Sequence, residues 1–273
     1  SLARTEEKMA AAGASDLAIR SMRHYFLKAA DGATGYMPES TIEPLENVTM
    51  LGETRSTIDD QSDALDQTVI LKLNGGLGTS MGMNHAKSLL TVRDGMSFLD
   101  IIVQQVRFAR QTYGARLPLI FMNSFRTQAD TLENVPSDIA VADLPLDFIR
   151  GMQPKLAADT LEPVEWPAHP ELEWYPPGHG DIYTVLQERD IIRQLLDHGY
   201  RYMSTSNADN LGAFPSPELA GWFAASGAPF AMEVATRTKA DNKGGHLARR
   251  VSDGRIVSSR GRTNAVGRHG CIH

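Results

Sequence analysis

Hydrophobic and polar residues follow two different patterns along this chain, and the change occurs near residue 67. In residues 1–30, apolar side chains recur at helical spacing between charged ones, which predicts one or two amphipathic helices ending at the Asp31-Gly32 turn. Residues 32–66 have no clear period and contain prolines, so we expect an irregular connector there.

From residue 67 onward, short apolar runs alternate with longer segments of helical spacing. The predicted strands are residues 67–73, 117–124, 201–206 and 229–238, and the predicted helices are residues 97–114, 180–200 and 216–227. Strands that alternate with helices need crossover connections, which give a largely parallel sheet covered on both faces. The pattern therefore predicts an α/β fold in which ligands bind at the carboxyl ends of the strands.

Composition and charge narrow the possible classes of function. The 273 residues are 42% hydrophobic and 22% charged, as in a folded protein with one large or two small domains. The net charge of −6 argues against broad nucleic-acid binding, although a small anion needs only a few local cations. Neither a membrane span nor a secretory signal is evident, and the lone Cys271 excludes an internal disulfide, so we expect a cytoplasmic protein.

A glycine-rich segment follows the first predicted strand of the sheet. It reads LNGGLGTSMGMNHAKS at residues 73–88 and has Lys87 near its end. Glycines after a strand let backbone N–H groups approach a bulky anion, which a lysine can neutralise. The spacing matches neither the dinucleotide fingerprint nor the P-loop, in which glycine directly precedes the Lys-Ser pair. A turn without a ligand is the alternative, and we favour phosphate binding.

Five segments in one order resemble the UTP–glucose-1-phosphate uridylyltransferases, also called UDP-glucose pyrophosphorylases. They are LKLNGGLGTSMG, the Lys-Ser pair that follows it, NSFRTQADT, WYPPGHGDIY and NADNLGA. The resemblance runs from about residue 5 to about residue 257 and implies a Rossmann-like nucleotidyltransferase domain with a mixed, mostly parallel sheet. It implies an enzyme that joins UTP to glucose 1-phosphate with Mg²⁺ and releases pyrophosphate. Asn74, Leu77 and Ser80 differ from the related acetylhexosamine enzymes, which favours glucose.

The resemblance also implies a nucleotide pocket around the glycine-rich segment. The residues that would line this pocket are Leu73, Asn74, Gly75 and Gly76. Lys87 would be the catalytic cation near the triphosphate, because the reaction brings two anions together. Gln153 would recognise uracil, since an amide offers both a donor and an acceptor. Gly178 would contact the base through its backbone and leave a slot too tight for the bulkier purines. Taken alone, Gln153 is more simply a solvated loop residue.

Other residues would contact the sugar phosphate and the metal. His179 and Asn207 would contact the sugar phosphate, while Asp209 would lie near the ribose and bind Mg²⁺. Both surrounding segments are also ordinary turn sequences, although nothing in a turn requires the histidine. Lys243, which precedes two glycines, is either a further contact to the sugar phosphate or part of a hairpin bend.

The sequence predicts three parts. They are an N-terminal helical segment and connector at 1–66, an incomplete catalytic domain at 67–257, and an aperiodic basic tail at 258–273. Family members continue with further strands, a lysine for the sugar phosphate and a β-helical domain. We expect these to be absent here through an early or out-of-frame end, so that the chain alone has weak or no turnover. The alternatives are a non-catalytic nucleotide-binding domain and a uridylyltransferase for another sugar 1-phosphate.

Overall fold

The computed structural model of the chain describes residues 1–35, 37–46, 48–50, 58–77, 85–236, 238 and 245–259. Its helices are α1 (Leu2–Ala11), α2 (Asp16–Ala30), α3 (Ile58–Asp66), α4 (Phe98–Tyr113), α5 (Gln128–Asn134), α6 (Asp181–Glu188), α7 (Ile191–Asp197) and α8 (Pro217–Ser226). Its strands are β1 (Ile42–Pro44), β2 (Thr68–Asn74), β3 (Thr91–Arg93), β4 (Met96–Ser97), β5 (Leu119–Asn123), β6 (Asp147–Ile149), β7 (Gln153–Pro154), β8 (Trp174–Tyr175), β9 (Tyr202–Asn207), β10 (His246–Arg250) and β11 (Ile256–Ser259).

A four-stranded sheet in the order β6-β5-β2-β9 forms the centre of the fold, and all of its pairings are parallel. Successive side chains of β2 point to opposite faces. Ile70 packs with α4 on one face, while Val69 and Leu71 pack with α6 and α7 on the other. The predicted α/β fold with a largely parallel sheet covered on both faces is therefore confirmed. No helix in the described part of the chain is long and apolar enough to cross a membrane.

The longest predicted helix has clear signals at both ends. Ser97 caps the amino end of α4 in a capping box with Asp100, and Gly114 ends the helix in the left-handed region at φ 67°. The N-terminal prediction of one or two helices is also confirmed, because α1 and α2 end before Gly32, which has φ 80°. The single helix predicted at 180–200 is instead two helices, since Asp190 adopts a left-handed conformation at φ 58°.

Two other predictions were wrong. The connector predicted at 32–66 contains β1 and α3, and the pattern missed α3 because this nine-residue helix has few apolar positions. The strand predicted at 229–238 is not formed in residues 229–236, where Phe230 and Met232 are exposed. An apolar run becomes a strand only where a neighbouring strand pairs with its backbone groups.

The chain divides into two compact units. The larger comprises residues 1–26 and 56–226 and contains the parallel sheet; the smaller comprises residues 27–55 and 227–273. Within the smaller unit, β1, β10 and β11 form an antiparallel sheet. These two units differ from the three parts predicted from the sequence, 1–66, 67–257 and 258–273. The three-part division therefore stays a prediction. Most of the predicted tail, residues 260–273 with Cys271, lies outside the described residues.

Candidate active site

A pocket of about 260 Å³ opens at the carboxyl ends of β2, β5 and β9, within the larger unit. Parallel strands end at the same edge of a sheet, so loops that are distant in sequence meet there. The residues that line the pocket are Leu73, Asn74, Gly75, Gly76, Lys87, Ser88, Met122, Arg150, His179, Asn207, Ala208 and Asp209.

Lys87 and Asp209 form an ion pair in this pocket. The Lys87 Nζ atom lies 2.5 Å from the Asp209 Oδ2 atom, and the two side chains are 35% and 34% exposed. An ion pair that is this accessible to water contributes little to stability. Lys87 can therefore exchange the carboxylate for an incoming anion at small cost.

The glycine-rich segment begins and ends beside this ion pair. Leu77 forms an isolated bridge with Ala86, and the Lys87 N–H donates to the Gly76 carbonyl over 3.0 Å. The Ala86 N–H donates to the Asp130 carboxylate over 2.7 Å, which ties the end of the segment to α5. Residues 78–84, including two of the glycines, lie outside the described residues.

The Arg150 guanidinium packs closely against Gly75. A Cβ atom at Gly75 would lie 2.5 Å from the Arg150 Cζ atom, and the guanidinium Nη2 donates to the Gly75 carbonyl over 2.9 Å. Burial lowers the pKa of Arg150, and the nearby Asp181 carboxylate acts in the opposite direction. Among the described residues other than its chain neighbours, by contrast, no atom lies within 4 Å of the position of the missing Cβ of Gly76.

Asp181 is the first residue of α6 and lies near the Arg150 guanidinium. Its Oδ2 atom accepts a hydrogen bond from the Gly151 N–H over 2.7 Å, which links α6 to the segment that carries Arg150. Burial raises the pKa of this carboxyl group, and the Gly151 N–H opposes that shift. His179, two residues earlier, lines the pocket.

A buried polar network holds the carboxyl ends of β2 and β5 together. The Asn74 Nδ2 atom donates to the Asn123 Oδ1 atom over 3.0 Å and to the Thr131 Oγ1 atom over 2.8 Å. The Asn123 Nδ2 atom donates to Asp147 over 3.1 Å, and the Thr127 hydroxyl donates to the Asn74 carbonyl over 2.7 Å. The Asn74 side chain is thus bound within the protein rather than directed to a ligand.

The structure brings together most of the residues to which the sequence assigned a role in binding or catalysis. The predicted residues that line the pocket are Leu73, Asn74, Gly75, Gly76, Lys87, His179, Asn207 and Asp209. Gln153 and Gly178 are not among the lining residues. Gln153 lies in β7 and accepts a hydrogen bond from the Tyr175 hydroxyl over 3.0 Å, so uracil recognition by these two residues stays a prediction. Lys243 lies outside the described residues.

Sequence reasoning missed Arg150, Ser88, Met122 and Ala208. Arg150 follows β6, whose three residues are too few for a recognisable period. Its N–H continues the ladder to the Asn123 carbonyl over 2.8 Å, which places it at the same sheet edge as the glycine-rich segment. An arginine directly after a short apolar run in an α/β pattern is the signal that could have found it.

The pocket offers oxygen atoms that suit a hard cation. Asp209 supplies a carboxylate, and the buried Ser88 hydroxyl has no hydrogen-bond partner in the described part of the chain. Mg²⁺ usually keeps several waters and takes one or two carboxylates together with substrate phosphates. No group of three or more His, Cys, Asp or Glu side chains in the described ranges could hold a metal. The donors fit a cation that is bound jointly with a phosphate.

Comparison with known proteins identifies relatives for nearly the whole described chain. The family model of UTP–glucose-1-phosphate uridylyltransferase matches residues 20–258. The chain is 37% identical over 209 residues to UTP–glucose-1-phosphate uridylyltransferase of Encephalitozoon cuniculi, covering 77% of this chain and 42% of that protein. It is 40% identical over 186 residues to a probable enzyme of the same name from Schizosaccharomyces pombe, covering 68% of this chain and 37% of that protein.

Solved structures agree with these sequence relatives. A crystal structure of UDP-glucose phosphorylase from Trypanosoma brucei superposes with a TM-score of 0.87 at 40% identity, covering 95% of this chain and 56% of that one. A mutant UDP-glucose pyrophosphorylase from Leishmania major, in complex with UDP-glucose, superposes with a TM-score of 0.85 at 38% identity, covering 95% and 55%. The chain thus spans about two fifths of the curated relatives and about half of the solved ones. By the extent of the family match and the agreement in fold, this chain belongs to the UTP–glucose-1-phosphate uridylyltransferase family.

Proposed function

We propose that this chain binds UTP in the pocket at the carboxyl edge of its parallel sheet and transfers uridylyl to glucose 1-phosphate, giving UDP-glucose and pyrophosphate. The observation that carries the proposal is the exchangeable Lys87–Asp209 pair beside the Gly75-Gly76 backbone. Family membership supports it, and so does the structural relative that was solved with UDP-glucose.

In the proposed reaction, a phosphate oxygen of glucose 1-phosphate attacks the α-phosphorus of UTP, and pyrophosphate leaves from the opposite side. Both substrates are anions, so catalysis consists mainly of alignment and charge neutralisation. Lys87 releases Asp209 and contacts the triphosphate, while Arg150 adds a second positive charge to the pocket wall. His179 and Asn207 line the same pocket, and in this proposal they contact the sugar phosphate.

A magnesium ion is part of the proposal. Asp209 would hold it, and the Ser88 hydroxyl is a second oxygen within the same pocket. When bound, Mg²⁺ neutralises phosphate charge as a Lewis acid. When Lys87 contacts the triphosphate, it would no longer pair with Asp209, and the Asp209 carboxylate would become available to the cation.

Calorimetry of UTP binding with Mg²⁺ tests this proposal. We expect Lys87→Met to weaken UTP binding by about 100-fold, because a charge-assisted contact to phosphate is lost. Arg193→Met is the matched control, since it removes one positive charge from an exposed ion pair on α7. Equal affinity for UTP in the wild type and Lys87→Met, or preference for ATP over UTP, would contradict the proposal.

Pyrophosphate release after addition of glucose 1-phosphate then measures transfer itself. Turnover that Lys87→Met abolishes supports uridylyl transfer by this chain. UTP binding without pyrophosphate release would instead support the non-catalytic nucleotide-binding alternative. Faster pyrophosphate release with a different sugar 1-phosphate would support the uridylyltransferase alternative with another sugar substrate. The proposed nucleotide site would stay the same.

A further inference from the structure

Lys72 is a fully buried lysine directly before Leu73 and Asn74, which line the pocket. It lies in the central strand β2, two residues before Asn74, and its side chain has 0% exposure. Its Nζ atom donates to the Ser206 Oγ atom over 2.7 Å and to the Ala213 carbonyl over 3.1 Å. Neither acceptor is charged, and no carboxylate in the described ranges forms an ion pair with Lys72.

The two acceptors of Lys72 flank a loop that reaches the pocket. This Asp209 loop, defined here as residues 207–212, begins directly after Ser206 and ends directly before Ala213. The Ser206 hydroxyl also donates to the Ala213 carbonyl over 3.2 Å, so Nζ, Oγ and the carbonyl oxygen form a closed triangle. Lys72 therefore contacts both ends of the segment that carries Asp209 and adds two hydrogen bonds to the direct one between Ser206 and Ala213.

Lysine is an expensive choice for that task. Burying an ammonium group that lacks a carboxylate partner costs free energy, and burial lowers the pKa of Lys72 to about 8. A neutral residue would stabilise the sheet more simply. Costly buried charges are concentrated near functional sites, where position matters more than stability.

We propose that Lys72 is a positioning residue for the proposed transfer reaction: it holds both ends of the Asp209 loop so that Asp209 meets Lys87 and the ligand in the pocket. It acts through Asp209 and does not contact the substrate. The inference rests on the proposed function, because its readout is UTP binding in that pocket.

The test compares UTP affinity with Mg²⁺ in the wild type, Lys72→Met and Thr68→Val. Thr68 lies at the opposite end of β2 and donates a buried hydrogen bond to the Ala64 carbonyl over 2.7 Å, so its loss weakens the strand without touching the loop. We expect Lys72→Met to bind UTP about 10-fold more weakly and Thr68→Val to bind normally despite lower thermal stability.

A double-variant cycle separates positioning from general destabilisation. In the Asp209→Asn background, Lys72→Met should cause no further loss of affinity, since the group through which it acts is already gone. If Lys72→Met does not fold, Ser206→Ala removes one acceptor of the triangle and carries the same expectation.

Each outcome decides between the two proposals. A folded Lys72→Met that binds UTP within twofold of the wild type overturns this inference alone, and so do losses that multiply in the double variant. Wild-type protein that binds no UTP overturns the proposed function, and this inference with it. A 10-fold loss in Lys72→Met that disappears in the Asp209→Asn background supports the positioning role.

Discussion

Two lysines are held in opposite ways, one at the mouth of the pocket and one in the buried ends of β2 and β5 next to it, which we call the floor. At the mouth, Lys87 is partly exposed and is paired with the carboxylate of Asp209. On the floor, which we define as Lys72, Asn74 and Asn123, Lys72 is fully buried and bonds only to neutral oxygens. Burying the charge of Lys72 without a carboxylate partner costs free energy, whereas the charged pair at the mouth is accessible to water.

In the proposed function, this contrast gives the anion site fixed buried residues and a charged pair that can exchange its partners. Water screens the Lys87–Asp209 pair, so a phosphate can replace Asp209 beside Lys87 and a metal ion can replace Lys87 beside Asp209. The floor cannot exchange partners, because each buried polar group that loses its hydrogen bond incurs a desolvation cost. Substitutions on the floor should therefore change stability or position, and substitutions at the mouth should change ligand binding.

The largest expected effect comes from breaking the floor at Asn123. Asn123→Leu removes an amide that joins Asn74, Thr131 and Asp147, so we expect the free energy of unfolding to fall by about 4 kcal/mol. Urea denaturation measures this change. Asn134→Leu is the matched control, because Asn134 is exposed and should change stability by less than about 1 kcal/mol. Equal effects at the two positions would show that the network does not hold the sheet edge.

The next effect is the pH dependence caused by Lys72. Burial lowers its pKa from 10.5 to about 8, so the unfolded chain binds more protons than the folded chain between these values. The destabilisation is fully present below pH 8 and is relieved as the pH rises to 10.5. We expect the stability of the wild type relative to Lys72→Met to increase by about 3 kcal/mol over that range. Chemical denaturation of both proteins at pH 7, 8, 9 and 10 measures it, and a constant difference would contradict the buried-charge assignment.

The smallest expected effect is the change in UTP affinity caused by Asp209→Asn at the mouth of the pocket. Without Mg²⁺, Asp209→Asn should tighten UTP binding by about fivefold, because it removes a charge that competes for Lys87 and repels phosphate. With Mg²⁺, the same substitution should weaken binding by about 10-fold, because the cation loses its carboxylate ligand. Asp190→Asn, which removes an exposed carboxylate beside Arg193, should have no effect in either titration. A change of the same sign in both conditions would show that Asp209 does not bind the metal.

Much of the fold could be predicted from local sequence signals. The capping box at Ser97, the left-handed Gly114 and the continuous apolar run of β2 each specify an element without help from the rest of the chain. The predictions failed where tertiary context decides. The apolar residues 229–236 form no strand because no partner strand pairs with them in the described part, and α3 is too short to show a period.

The candidate site was predictable in outline for a related reason. In an alternating pattern of strands and helices, the residues that follow each strand must meet at one edge, so Gly75, Lys87 and Asp209 could be grouped before their geometry was known. Arg150 and Ser88 could not be placed, because the strand before Arg150 is very short and because burial of a serine hydroxyl depends on packing.

The sequence by itself determined the parallel α/β architecture and the proposal that the glycine-rich segment and Lys87 bind an anion, because these depend on periodicity and on the backbone freedom of glycine. Only the tertiary structure decided that Asn74 is bound within the protein, that the Arg150 guanidinium packs against Gly75, and that Lys72 bridges the ends of the Asp209 loop. Those assignments depend on contacts between residues 49 to 141 positions apart, and no local pattern records such distances.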